Sequence, residues 1–314
     1  MDQCCKGPTA GPLYVAFVDF AKAFDMMPRD RLWERLDDLG VRGPFLAALK
    51  LYYGSVLFRV NTADGLSETF SAESGVKQGC PLSPVLFGCM IEGLLTGLTA
   101  DDKTPDLHGY KVPALLYADD TTLISRSKAG LQRLLNRLSD FCAAQGMQVN
   151  EAKTKIMVFR TGHRAPKDAS TLTYRGTRLE LVEEFCLLGV PLSADQHHDQ
   201  GSIRTLTTLA ARARTSYHQM WTRARQLGVQ DYPHLLQLFE ACVLSVVGYT
   251  APIFCAYLPA FSHTAPDAAE DLHLRFLRAA LGLPQWSNKA MVYIETGRTP
   301  LRHTWLCRSV TYLK

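Results

Sequence analysis

The chain has 314 residues, 47% hydrophobic and 20% charged, with a net charge of +4. That length can hold two domains, and the balance excludes a disordered, low-complexity or fibrous chain. The charge is uneven: from Gly201 onward 12 Lys and Arg face 6 Asp and Glu, a local +6 that leaves −2 for residues 1–200. An acidic half thus precedes a basic half suited to phosphate backbone.

In chain order, residues 13–20 (LYVAFVDF) read as a buried strand with Asp19 at its C-terminal end. After a turn at Pro28, Asp30 is expected to cap a helix with Leu32, Leu36 and Leu39 on one face, stopped by Gly40. A second helix is expected near Phe45 to Tyr53. Val56 to Asn61 and Glu68 to Glu73 then form a hairpin around Asp64-Gly65. Gly75 to Gly79 is a loop entering a helix that Pro81 and Pro84 help to start, with Val85, Leu86, Cys89, Met90, Gly93 and Leu94 on its buried face. Strands at 112–116 and 121–125 flank Ala118-Asp119-Asp120, a hairpin with acids at its tip. Strand side chains alternate faces, so Asp119 and Asp120 are not expected to be equivalent.

Leu131, Leu134, Leu135, Leu138, Phe141 and Cys142 mark an amphipathic helix ended by Gly146. A strand at 147–149, the polar turn NEAKTK (150–155) and a strand at 156–159 follow. Short strands come next, at 172–174, 178–181 and 185–190. Beyond Pro191 long helical segments take over. One of them holds Arg204, Arg212, Arg214, Arg223 and Arg225 with no acid between Gly201 and Leu227. At about 100° per residue the 212/223 and 214/225 rows point nearly opposite ways, so only one can face nucleic acid. Tyr217 and Trp221 fit either the core or a sugar-phosphate contact.

Nine cysteines (4, 5, 80, 89, 142, 186, 242, 255 and 307) are an odd number with no CxxC pair, and no secretory apolar core opens the chain. Reduced thiols, a nuclear or cytoplasmic location and no zinc knuckle are expected. The uncharged stretch Ala241 to Ser262 is long enough to raise a membrane span. Gly248, Pro252 and Pro259 interrupt it, so buried helices around a proline break are expected instead.

The chemistry rests on Asp19, Asp119 and Asp120. Two carboxylates about 4 Å apart repel by roughly 4 kcal/mol at an effective dielectric of about 20, so a cluster of three needs cations. Magnesium prefers a few carboxylate oxygens plus substrate phosphates, and a pair of such ions serves in-line displacement at phosphorus. Asp25, by contrast, reads as a turn or cap residue.

FVDFAKAFD (17–25), GVKQGCPLSP (75–84), YADD (117–120), NEAKTK and FCLLG (185–189), in that order, resemble the palm motifs of a reverse transcriptase. They are most similar to those of non-LTR retrotransposons of the long interspersed element type, from about Tyr14 to Gly189 and weakly beyond. The resemblance implies an α+β palm, an antiparallel sheet with packed helices, followed by a mostly helical thumb. Its divisions would be a residual fingers segment or linker at 1–13, the palm at 14–192 and a thumb-like region at 193–314. It also implies RNA-directed DNA polymerase activity with two Mg²⁺ ions, Mn²⁺ as an alternative, on an RNA template, a DNA primer and dNTP.

By the same resemblance Asp19, Asp119 and Asp120 are catalytic metal ligands, Asp120 assisting. Phe24 would exclude a 2′-hydroxyl, with a core phenylalanine as the plain alternative. Gln78 and Gly79 would approach the incoming nucleotide or template, unless they merely form the turn. Lys153 would serve the leaving pyrophosphate, although turn lysines are commonly just solvated. Phe185, Leu188 and Gly189 would grip the primer end, although a short core strand reads the same way. Motif A begins at residue 17, so the resemblance implies missing fingers, no flanking nuclease, weak dNTP binding, and a fragment, decayed copy or incomplete gene. The rivals are a catalytically silent nucleic-acid-binding remnant and a group II intron-type maturase, whose further basic domain this length does not accommodate.

Overall fold

A computed structural model of the chain describes residues 11–54, 57–63, 65–72, 74–98, 103–107, 109–160, 171–194, 200–250 and 268–312. Val56, Asp64, Glu73, cysteines 4, 5 and 255, and residues 251–262 lie outside that set. Two units divide after Glu183.

In the first unit, β1 (Leu13–Val18), β2 (Ala114–Tyr117), β3 (Asp120–Ser125), β4 (Lys155–Phe159) and β5 (Glu180–Leu181) form a sheet of order β5-β4-β1-β3-β2. Pairing is antiparallel except between β4 and β5. The central strand β1 is buried from Tyr14 to Val18. Tyr14, Ala16 and Val18 join the main core while Val15 and Phe17, at 3% exposure, are buried on the other face. Burial on both faces explains an unbroken apolar run in place of alternation.

Helices α1 (Arg29–Asp38), α2 (Gly43–Gly54), α3 (Ser83–Gly97) and α4 (Lys128–Gln145) supply the rest of that core. Leu32, Leu36, Phe87, Met90, Leu131, Leu135 and Leu138 pack with Ala16, Leu123 and Ile156. Each such side chain contributes about 1.5–3 kcal/mol by leaving water. In α4 the Ser127 side chain accepts from Gly130 N at 3.0 Å, and Gly146 ends the helix at φ +67°. Both devices suit their residue types.

Several local expectations are corrected. Asp30 lies in the first turn of α1, whose N-cap is Pro28, and Leu39 is 42% exposed because the helix has ended. In α3 the buried stripe runs through Phe87, Met90, Ile91 and Leu94, leaving Val85 61% exposed. The strand at 147–149 is a single bridge between Phe20 and Val149. In the hairpin after α2, Thr62 pairs with Gly65, so Gly65 closes the inner ladder instead of occupying the turn.

The second unit opens with a hairpin, β6 (Glu184–Leu187) and β7 (Val190–Ser193). Its two-residue turn, Leu188-Gly189 at φ +48° and +81°, has the left-handed pair that matches strand twist. The hairpin packs on α5 (Gln200–Gln226), where Thr205 Oγ1 donates to Pro191 O at 2.5 Å. Next come α6 (Tyr232–Phe239), which continues through a π turn at Glu240–Leu244, then α7 (Ala268–Ala280), α8 (Lys289–Thr296) and α9 (Leu301–Tyr312). Leu209, Ala213, Tyr217, Met220 and Ala224 form the inner stripe of α5 and pack with Phe239, Phe276, Val292 and Trp305. Phe239 and Phe276 stack with centroids 3.9 Å apart. Among the described residues no helix is long and apolar enough to cross a membrane, and the six cysteines are free.

Candidate active site

Asp19 follows β1 directly, and its backbone is held at both ends. Its N–H donates to Thr154 Oγ1 at 3.3 Å, and its carbonyl accepts from Asn150 N at 2.7 Å. Tyr117 pairs with Asp120 across the β2–β3 hairpin, which makes Ala118-Asp119 the turn. Ala118 sits at φ +50°, a left-handed conformation that costs a non-glycine residue roughly 1–2 kcal/mol. The β1–β3 register pairs Val18 with Thr121, so the next step along the ladder brings Asp19 beside Asp120.

The electrostatics agree with that placement. The Asp120 carboxyl is raised above its ordinary value, first by partial burial and then by the charges of Asp119 and Asp19. Strict alternation does not separate the two YADD acids, because Asp119 belongs to the turn and not to a strand. Lys153 Nζ stands 3.9 Å from Asp19 Oδ2. Lys155 instead heads β4, its ammonium engaged by Ala152 O at 2.6 Å and Glu180 Oε2 at 2.5 Å. Of the two turn lysines, only Lys153 attends the acids.

Among the described residues, no group of three or more His, Cys, Asp or Glu is arranged to hold a metal ion. The three acids are neighbours without forming a closed cage. Their donor set nevertheless fits a hard divalent cation: it is all carboxylate oxygen, and the charges of Asp119 and Asp19, which add to burial in raising Asp120, also attract positive charge.

A second group of contacts ties the glycine-rich loop to the segment after β1. Gly75 N donates to Met27 O at 2.8 Å and Val76 N to Phe24 O at 2.7 Å. Gln78 Nε2 donates to Asp25 Oδ1 at 2.8 Å, so Asp25 is a link between the two segments. Arg29 donates to three carbonyls, those of Gly75 (2.8 Å), Ala72 (2.7 Å) and Tyr53 (3.1 Å). Lys77 Nζ lies 3.3 Å over the Tyr52 ring. Phe24 is half-buried and stacks on Phe87 with centroids 5.0 Å apart. Gly79, at φ +80°, faces open space. Sequence reasoning overlooked Arg29 and the close approach at Gly75. A glycine demanding positive φ was the only available signal, and Arg29 left none.

In the second unit Phe185 is half-buried in β6 while Leu188 and Gly189 form the exposed turn. Arg212 donates to Gly189 O at 3.2 Å and approaches Cys186 Sγ at 3.8 Å. The 212/223 row is therefore partly spent on the protein's own hairpin.

Residues 2–192 match the family described as reverse transcriptase (RNA-dependent DNA polymerase). The Pol polyprotein from the type-2 retrotransposable element R2DM of Drosophila melanogaster is 33% identical over 145 residues, covering 45% of this chain and 13% of that protein. The R2 polyprotein of Nasonia vitripennis is 30% identical over 142 residues, covering 45% and 14%. The chain thus aligns with about one seventh of these relatives' length. Apo telomerase from Candida tropicalis superposes with a TM-score of 0.47 at 12% identity, covering 89% of this chain and 47% of that one.

Proposed function

The chain belongs to the reverse transcriptase (RNA-dependent DNA polymerase) family, and from that premise we propose that it synthesises DNA on an RNA template at Asp19, Asp119 and Asp120. The observation that carries this reading is the register that sets Asp19, at the end of β1, beside Asp120, at the start of the adjacent antiparallel β3, with Asp119 in the adjoining turn. Asp19 and Asp119 would hold two Mg²⁺ ions, or Mn²⁺ in their place, with Asp120 assisting. When bound, such ions activate the attacking hydroxyl and neutralise the leaving oxygen of an in-line displacement.

The chain's own groups do the rest. Phe24, its ring fixed against Phe87, supports the sugar and disfavours a 2′-hydroxyl. Gln78 and Gly79 meet the incoming dNTP or the template base, the bare backbone at Gly79 leaving room for close approach. Lys153 neutralises or protonates the leaving pyrophosphate. Phe185, Leu188 and Gly189 hold the primer end. The biological setting proposed is target-primed integration of a retrotransposon.

Primer extension on poly(rA)/oligo(dT) with purified protein tests the reading. Asp119→Ala is expected to abolish Mg²⁺-dependent incorporation of dTTP. Undiminished extension by that variant refutes the assignment, and salt-dependent binding without any extension identifies a silent nucleic-acid binder.

A further inference from the structure

The second unit carries a concavity of about 330 Å³ lined by Tyr217, His218, Trp221, Thr222, Arg225 and Arg275, from α5 and α7. Among the described residues no carboxylate lines it. Neither arginine pairs with an acid among the described residues, and α5 contributes no acid along its 27 residues.

Arg225 and Arg275 line the same concavity from two different helices. Burial raises the Tyr217 hydroxyl, and the Trp221 indole, Arg275 and Arg225 all act against that rise. Both arginines are therefore within Coulombic reach of one buried oxygen. Two guanidiniums with no carboxylate partner among the described residues line one concavity, and phosphate oxygens match their forked donors.

The other arginine row of α5 is differently occupied. Arg212 is bonded to Gly189 O, and Arg223 Nη1 donates to Gln226 Oε1 at 3.2 Å. Among the described residues Arg225 has no such internal partner, which selects between two rows that the helical period alone leaves equivalent.

We propose that this concavity is a phosphate-binding site, with Arg225 and Arg275 as its paired ligands, and that the Arg225 row is the face of α5 that meets the ligand. The phosphate is either a backbone group of the bound nucleic acid or part of a free polyphosphate. The nucleic-acid alternative rests on the function proposed above and names where the second unit grips that partner. Arginines that contact phosphate read charge and not sequence.

The test is equilibrium binding of a fluorescein-labelled oligo(rA)/oligo(dT) duplex across a salt series, without Mg²⁺ or dNTP. If a backbone phosphate sits here, Arg225→Ala with Arg275→Ala weakens binding about tenfold at low salt and flattens the salt slope by about 1.5. Arg223→Ala leaves the slope unchanged, and the double lysine variant restores it. If the ligand is a free polyphosphate, the duplex slope stays put. Calorimetry then shows inorganic pyrophosphate binding to the wild type and not to the double alanine variant. An unchanged slope together with pyrophosphate binding that is absent or unaffected by the substitutions overturns the proposal. Because neither measurement needs extension, the outcome is separate from that of Asp119→Ala.

Discussion

Replacing Gly75 by alanine tests the claim that bare backbone joins the glycine-rich loop to the segment after β1. An ideal Cβ at this position falls 2.5 Å from Asp25 O and 2.7 Å from Phe24 O, and φ is +79°. Both obstacles are backbone atoms, so no side chain can swing aside. The left-handed conformation alone costs about 1–2 kcal/mol. The loop must also retreat, which breaks the bonds from Gly75 N to Met27 O and from Val76 N to Phe24 O, each contributing about 0.5–1.5 kcal/mol. The total is about 2–5 kcal/mol. Gly79→Ala is the internal control: its φ is +80° but no atom lies within 4 Å of the added carbon, so only the conformational cost of about 1–2 kcal/mol applies. Urea unfolding of both variants gives the comparison, and the KM for dTTP reports whether Gln78 and Gly79 have moved. Equal losses for the two variants would refute the reasoning.

Lys153→Met is expected to lower the single-turnover extension rate about 100-fold, with little loss of stability, since its pairing with Asp19 is exposed. Lys155→Met should do the reverse, and equal rate losses for both would remove Lys153 from the site. Arg29→Gln takes charge-assisted bonds from three carbonyls. It should cost about 1.5–3 kcal/mol in urea unfolding and raise the KM for dTTP more than it lowers kcat, an effect absent if Arg29 only supports the fold. Glu270 in α7 is mostly buried, which alone would raise its carboxyl. His273, the Tyr293 hydroxyl and Leu301 N–H outweigh burial and hold it below the ordinary range. A depressed folded value means its stabilisation is complete above the unfolded value and is lost as pH falls through the folded one. Acid unfolding followed by circular dichroism should therefore show a loss below about pH 4 that Glu270→Gln abolishes, and identical profiles would contradict this.

What the sequence made legible was local. The strand in LYVAFVDF and the amphipathic helix ended by Gly146 carry their own period or stop residue and stand where expected, the strand ending at Val18, whereas the tip expected at Ala118-Asp119-Asp120 is only Ala118-Asp119, because Asp120 already pairs with Tyr117 in β3. The buried face of α3 was misread because VLFGCMIEGLL is apolar nearly all round, so periodicity alone did not favour Phe87 over Val85. The links among Arg29, Gly75, Asp25 and Gln78 span 46 and 53 positions. Nothing local to either segment encodes them.

The acids themselves show why a site can be readable in sequence yet open in structure. Register fixes the backbone positions of Asp19 and Asp120, whereas the carboxylates obey electrostatics. Three like charges brought within about 4 Å would cost several kcal/mol, and the protein answers only in part, with Lys153 near Asp19 and with a carboxyl at Asp120 that holds its proton more tightly. An ammonium and a carboxylate 3.9 Å apart with side chains 70% and 41% exposed are held together by about 0–1 kcal/mol. Any stronger partner for either group separates them at little cost. The strands, the Thr154 and Asn150 bonds at Asp19 and the strained Ala118 are thus the pre-organised part of the site, and the side-chain oxygens are the part left to respond to charge.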